Sequence, residues 1–185
     1  VYRVNLKELH IYKEKLLQMI KIGVPAGIQS ATFSISNVLI QSTINSFGSI
    51  AMAGSTAGGN IEGFVWTAMD AFTQSTLSFT GQNYGAKKFH RITKVVWYNL
   101  GLVTVVGLVL GIGAYLVGPW VLQVYSSDPE VIAYGLERML LVCTPYALCG
   151  VMNVLVGAMR GLGSSLTPMV VSIFGVCVLR VAWIA

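Results

Sequence analysis

Apolar runs far longer than any soluble helix requires, separated by short polar or basic stretches, set the pattern of this chain. Residues 22–80 carry only two charges, Glu62 and Asp70, and residues 95–127 carry none. Between these runs lies TGQNYGAKKFHRITK, residues 80–94, which reads as a hinge joining two helical segments. Gly85 is placed to take the left-handed conformation that ends a helix, and Lys87, Lys88, Arg91 and Lys94 follow as a positive cluster. Crossing about 30 Å of hydrocarbon takes about 20 predominantly apolar residues, and lipid offers backbone groups no partners, so each run is expected to be helical. Five spans follow, at about 22–44, 53–80, 97–124, 131–159 and 166–185. Residues 1–21 precede them as an amphipathic helix lying at the interface, capped by Asn5 with Glu8 three residues on; an ordinary helical linker explains the same residues.

Two spans are unusually polar. At 100° per residue, Ser30, Ser34, Asn37, Gln41 and Asn45 share one arc of the first, opposite Ile28, Ala31, Ile35, Val38 and Leu39. The second span has Glu62, Thr67, Asp70, Thr73, Gln74 and Ser78 on one half and Ile61, Phe64, Val65, Ala68 and Phe72 on the other. Glu62 and Asp70 stand about 12 Å apart along the axis at 1.5 Å per residue. An acid at mid-span costs about 2.5 to 3.5 kcal/mol on insertion scales, so each asks for a cavity, a partner or a proton. These two acids, with Asn37 and Gln41, are the candidate lining of a water-accessible cavity. The bland alternative is that Glu62 is hydrated near the outer surface and Asp70 pairs with a basic group on another helix. Pro25, between Gly23 and Gly27, predicts a bend in the first span, and Pro145 a kink in the fourth. Gly107 and Gly111, four apart in the third span, permit close helix contact, with Trp97, Tyr98, Trp120 and Tyr125 marking its ends.

Composition agrees with the pattern. Of 185 residues 55% are hydrophobic and only 10% charged, with a mean hydropathy of +0.70, which excludes an ordinary soluble domain, of which about 25% is charged. The net charge of +5 does not point to nucleic acid, because the basic residues sit in loops beside the spans. Arg3, Lys7, Lys13, Lys15, Lys21, Lys87, Lys88, Arg91, Lys94 and Arg160 fall on one side, leaving Arg138 outside and Arg180 within a span. The bias puts the N-terminus in the cytoplasm. Cys143, Cys149 and Cys177 lie in apolar runs without metal-ligand spacing, and His10 and His90 lie in basic segments, so no metal site and no cofactor is expected. The first residues lack the charged, then apolar, then small-residue pattern of a signal peptide, so none is expected. The odd number of spans and the end within an apolar run suggest a fragment cut before its last helix.

Five stretches together, IGVPAGIQ from Ile22, NVLIQSTINSFGS from Asn37, NIEGF from Asn60, SFTGQNYGAKKFHR from Ser78 and GAMRGLGSS from Gly157, resemble the multidrug and toxic compound extrusion (MATE) transporters. That resemblance implies an all-α integral membrane fold, a polytopic bundle of about five transmembrane helices out of a six-helix half of a twelve-helix transporter. The chain looks like the C-terminal half, with the N-terminal half as its missing partner, and covers about half of a family member. The implied function is secondary active efflux of cationic or amphipathic compounds in exchange for H+ or Na+, by alternating access, in the cell (inner) membrane. One branch of the family uses a glutamate in the helix equivalent to 22–44 and an aspartate in that equivalent to 131–159 for cation binding. Here the first has no acid and the second only Glu137 near its outer end, which places the coupling acids in the N-terminal half.

Two rivals remain. A lipid-linked oligosaccharide flippase of the same superfamily would favour a cavity rich in Arg and Lys, and among these spans only Arg180 is basic in the interior. A non-transporting structural membrane subunit would tolerate apolar residues on the polar arcs. An enzyme is not expected, since no nucleophile, base or ligand cluster forms.

Overall fold

The computed structural model describes residues 10–143 and 145–178. Arg180, residues 1–9 of the linker and the end of the fifth predicted span lie outside the described residues. Within them the chain is helical: α1 (Lys13–Asn45), α2 (Ser49–Gly85), α3 (Phe89–Tyr125), α4 (Pro129–Cys143), α5 (Tyr146–Gly161) and α6 (Leu166–Ser172), which continues into a π-helical stretch, Ile173–Val178.

The linker and first span, predicted as separate, form one helix from Lys13 to Asn45. Nothing at residues 21–23 stops the helix, because Gly23 keeps a right-handed backbone and has open space around it. Pro25 is buried inside this helix, which runs through it without interruption. Pro145 instead separates α4 from α5, and the two meet at 46°. Among the described residues only α3 is both long and apolar enough to cross a membrane by itself, and the bent α4–α5 pair qualifies jointly. Helices α1 and α2 are long enough but carry too many polar side chains.

The turns are built from local chemistry. After α2 the N–H of Lys88 donates to the Asn83 carbonyl at 2.9 Å and that of Lys87 to Tyr84 at 3.0 Å. This is the hydrogen-bond pair of a Schellman cap, whose left-handed position is the residue between, and Lys87 holds it with φ +56°. The left-handed residue is therefore Lys87 and not Gly85, because helical bonding continues two residues further than the glycine suggests. Tyr84 and Phe89 close the turn edge to face, ring centroids 5.9 Å apart. After α5 the same cap recurs, Ser164 N–H to Met159 and Gly163 N–H to Arg160, with Gly163 at φ +85°. On the opposite side Asp128 caps α4, its carboxylate accepting from the Glu130 N–H at 2.9 Å, with Pro129 in the first helical position.

Glycines set the register of the bundle. A Cβ on Gly54 would lie 2.8 Å from the Val131 carbonyl oxygen, one on Gly157 2.8 Å from that of Thr73, and one on Gly161 2.8 Å from that of Leu77. Residue numbers rise together across these contacts, so α2 runs parallel to α4 and α5. Across α3 they run oppositely: Gly111 faces Cys143, Gly107 faces Ala147 and Gly118 faces Leu136 and Met139. Close backbone approach of this kind replaces the hydrophobic driving force that helices lack in lipid. Into the centre go Met69, Val103, Leu122, Met139 and Val154, all within 1% of full burial. Helix α1 stands at the side of the bundle, touching α2, α6 and the π-helical stretch and reaching α5 through a side-chain hydrogen bond.

Candidate functional site

Helix α2 decides which candidates face inward. Ser55, Glu62, Met69 and Thr76, seven residues apart, are all buried and form one stripe directed at α4 and α5. Asp70 lies 100° round from Met69 and is exposed, together with Thr67, Gln74 and Ser78. The two acids of this helix therefore have different surroundings.

Glu62 is held by Arg138 of α4. Arg138 Nε donates to Glu62 Oε1 at 3.0 Å and Nη2 to Oε2 at 3.2 Å, a two-pronged ion pair in which both carboxylate oxygens are used. Arg138 Nη1 donates to Ser55 Oγ one helical stretch away on α2. The arginine stem crosses over Gly58 and Gly59, whose Cβ positions would lie 3.6 Å from Cδ and 3.7 Å from Nη2. The Glu62 side chain is 9% exposed and that of Arg138 26%. A lone carboxylate in this position would be strongly unfavourable; the guanidinium supplies charge and both hydrogen bonds. The alternative read from sequence is thereby reversed: it is Glu62 that has the basic partner on another helix and Asp70 that is open. The charge bias of the sequence places Arg138 only at the outer surface. The available signal was its position seven residues after buried Val131 and three after buried Gly135, on the inward flank of α4.

Asn37 and Gln41 are exposed on α1, where Gln41 Nε2 donates to Asn45 Oδ1 at 3.0 Å. The polar arc of α1 (Ser30, Ser34, Asn37, Gln41, Asn45) is exposed along its length, and so are Ile28, Ile35, Val38 and Leu39 opposite. Glu62 is thus turned into the α2–α4 interface while the other three candidates are exposed on their helices. Among the described residues no group of three or more His, Cys, Asp or Glu could hold a metal ion.

A second polar cluster, which periodicity did not single out, ties α1 to the rest. Gln29 is buried, its Nε2 donating to Ser172 Oγ of α6 at 2.8 Å, and its Oε1 accepting from Arg160 Nη2 of α5 at 2.6 Å. Gln29 lies off the α1 polar arc, and Arg160 had counted only toward the charge bias. Two long-range bonds on one amide make this residue the joint of three helices.

A family model described as MatE matches residues 25–184. The chain is 27% identical over 168 residues to the "Probable multidrug resistance protein YoeA" of Bacillus subtilis, covering 91% of this chain and 36% of that protein. It is 26% identical to the "Probable multidrug resistance protein YpnP" of the same organism, covering 90% and 38%, and 29% identical to a "Probable multidrug resistance protein NorM" of Aromatoleum aromaticum, covering 85% and 34%. The chain thus spans little more than a third of the length of these relatives, less than the half expected from sequence.

Proposed function

Because the chain belongs to the MatE family, a family of polytopic helical membrane proteins, we propose that it works as part of a multidrug efflux transporter and not as an enzyme. The carrying observation is the match across residues 25–184 together with relatives named for multidrug resistance. The finer reading is secondary active export of cationic or amphipathic compounds in exchange for H+ or Na+, by alternating access, in the cell (inner) membrane. In that reading the chain's N-terminus is cytoplasmic, and a further part of the protein, corresponding to the rest of its relatives' length, closes the cavity. The exposed polar half of α2 supports it, since a charge such as Asp70 is too costly to leave against lipid; Asn37 and Gln41, the latter bonded to Asn45, are exposed on α1 as further candidates for the same wall. Glu62 lies apart from this wall, in the α2–α4 interface with Arg138.

The test is efflux of a fluorescent cation from cells lacking their own exporters, at matched membrane levels of protein. Asp70→Asn removes a charge from the proposed wall without touching the packed bundle, so export should fall about tenfold for each 1.4 kcal/mol of lost attraction. Unchanged export would take Asp70 off the wall. Repeating the assay in sodium-free buffer and after collapse of the proton gradient separates the two coupling ions.

A further inference from the structure

Arg138 is gripped by more than Glu62. Its planar fork meets the carboxylate with two parallel donors, a third donor reaches Ser55 Oγ, and the side chain occupies the space that a Cβ would approach at Gly58, 3.6 Å from Cδ, and at Gly59, 3.7 Å from Nη2. All four partners belong to one stretch of α2, and the arginine arrives from another helix. We propose that the slot bounded by Ser55, Gly58, Gly59 and Glu62 is a guanidinium-binding site, filled in this structure by the chain's own Arg138, and that a cation bearing a guanidinium group takes the side chain's place. The proposal rests on the transport reading and deepens it, naming a cation chemistry that the α2–α4 interface would select.

Three features carry it. The slot is open at its mouth, because the Arg138 side chain is 26% exposed, while Glu62, at 9%, forms its floor. An empty slot would leave a buried carboxylate uncompensated, so a departing Arg138 must be replaced by another positive group or by a proton. The match is to a planar fork: a guanidinium brings both charge and paired donors, whereas an alkylammonium brings a point charge and no fork. Tethered on α4, Arg138 competes at an effective concentration in the millimolar range or above, so free guanidinium at lower levels leaves the unaltered protein unchanged. Removal of the tethered group exposes the site.

The experiment is thermal unfolding of the purified full chain in detergent. Arg138→Ala should lower the midpoint by about 5 °C. Guanidinium chloride at about 20 mM, far below denaturing levels, should restore at least half of that loss, while sodium and tetramethylammonium chlorides at equal ionic strength restore none. The double variant Arg138→Ala with Glu62→Gln should show no recovery. Equal recovery in all three salts, or recovery that survives in the double variant, overturns the proposal. If Arg138→Ala does not yield folded protein, Arg138→Gln, which keeps the length and loses the charge, enters the same comparison and the same outcomes decide. The readout involves no export, so a failure of efflux with guanidinium recovery intact would sink the transport reading and leave the slot standing.

Discussion

The bundle of α2, α3, α4 and α5 and the arm of α1 with α6 are both helical, yet they are held by opposite means. In the bundle, glycines bring backbones so close that a single added carbon would meet a carbonyl oxygen at 2.8 Å, and the centre is filled by fully buried Met69, Val103, Met139 and Val154. In the arm, a Cβ added at Gly23 or Gly27 would meet nothing within 4 Å beyond its own helix, both flanks of α1 are exposed, and the long-range hydrogen bonds described pass through Gln29. Shape complementarity distributes stability over many small contacts and fixes one arrangement. The arm's attachment rests on far fewer groups, so a single substitution at its joint should loosen the arm locally while the bundle's many contacts share the load.

Breaking the comparison at its strongest point calls for Gly111→Leu. A Cβ at Gly111 already meets the Cys143 carbonyl, and backbone cannot yield as a side-chain tip does, so α3 and α4 must separate. Size-exclusion chromatography should show no monodisperse protein, and Gly111→Ala should retain the fold with a loss of about 1 to 3 kcal/mol in thermal stability. Gly101→Ala, in open space on the same helix, should be neutral or stabilising by up to about 1 kcal/mol. Equal losses at Gly101 and Gly111 would mean that helix propensity and not close packing sets the response.

The next effect belongs to the arm. Gln29→Leu leaves Ser172 Oγ without its donor and Arg160 Nη2 without its acceptor, in a place where Arg160 Nε already has no partner. Each stranded group costs about 1 to 3 kcal/mol, so a loss of about 2 kcal/mol or more is expected. Its location is the sharper reading. Amide hydrogen exchange should quicken in residues 13–45 and 166–178 while α2 to α5 keep their protection. Uniform acceleration through all helices would show that arm and bundle unfold as one.

The same division governs what the sequence disclosed. Helices longer than a membrane is thick, the basic hinge, the break at Pro145 and the Gly107–Gly111 contact were legible, because each depends on local periodicity or on one residue's geometry. Partnerships across the fold were not. Nothing within residues 53–80 says that Glu62 turns toward Arg138, since the pair is separated by 76 positions and depends on α2 running parallel to α4. A helical wheel grouping Glu62 with Asp70 by polarity put them on one half; a heptad count through Ser55, Met69 and Thr76 would have separated them. Gln29 escaped notice for the related reason that a buried amide between three helices resembles an ordinary polar residue until its partners arrive. At Lys21 the composition changes while one helix runs on from Lys13 to Asn45, so composition alone does not mark the end of a helix.

The smallest effect sharpens the comparison at the turns. The caps after α2 and α5 have the same two hydrogen bonds and a left-handed residue, but the one leading into α3 uses Lys87 at φ +56° and the one leading to the arm uses Gly163 at φ +85°. A side chain in that conformation costs roughly 1 kcal/mol that glycine avoids, offset in part by a lysine's attraction to the carbonyl end of α2. Lys87→Gly should therefore gain a few tenths to about 1 kcal/mol, and Gly163→Lys should lose about 1 kcal/mol. Thermal unfolding at low and high salt separates the two contributions, because screening weakens the attraction to the helix end and leaves backbone strain untouched. If Lys87→Gly destabilised at low salt and that loss vanished at high salt, charge and not conformation would be the reason a lysine stands where its twin turn has glycine.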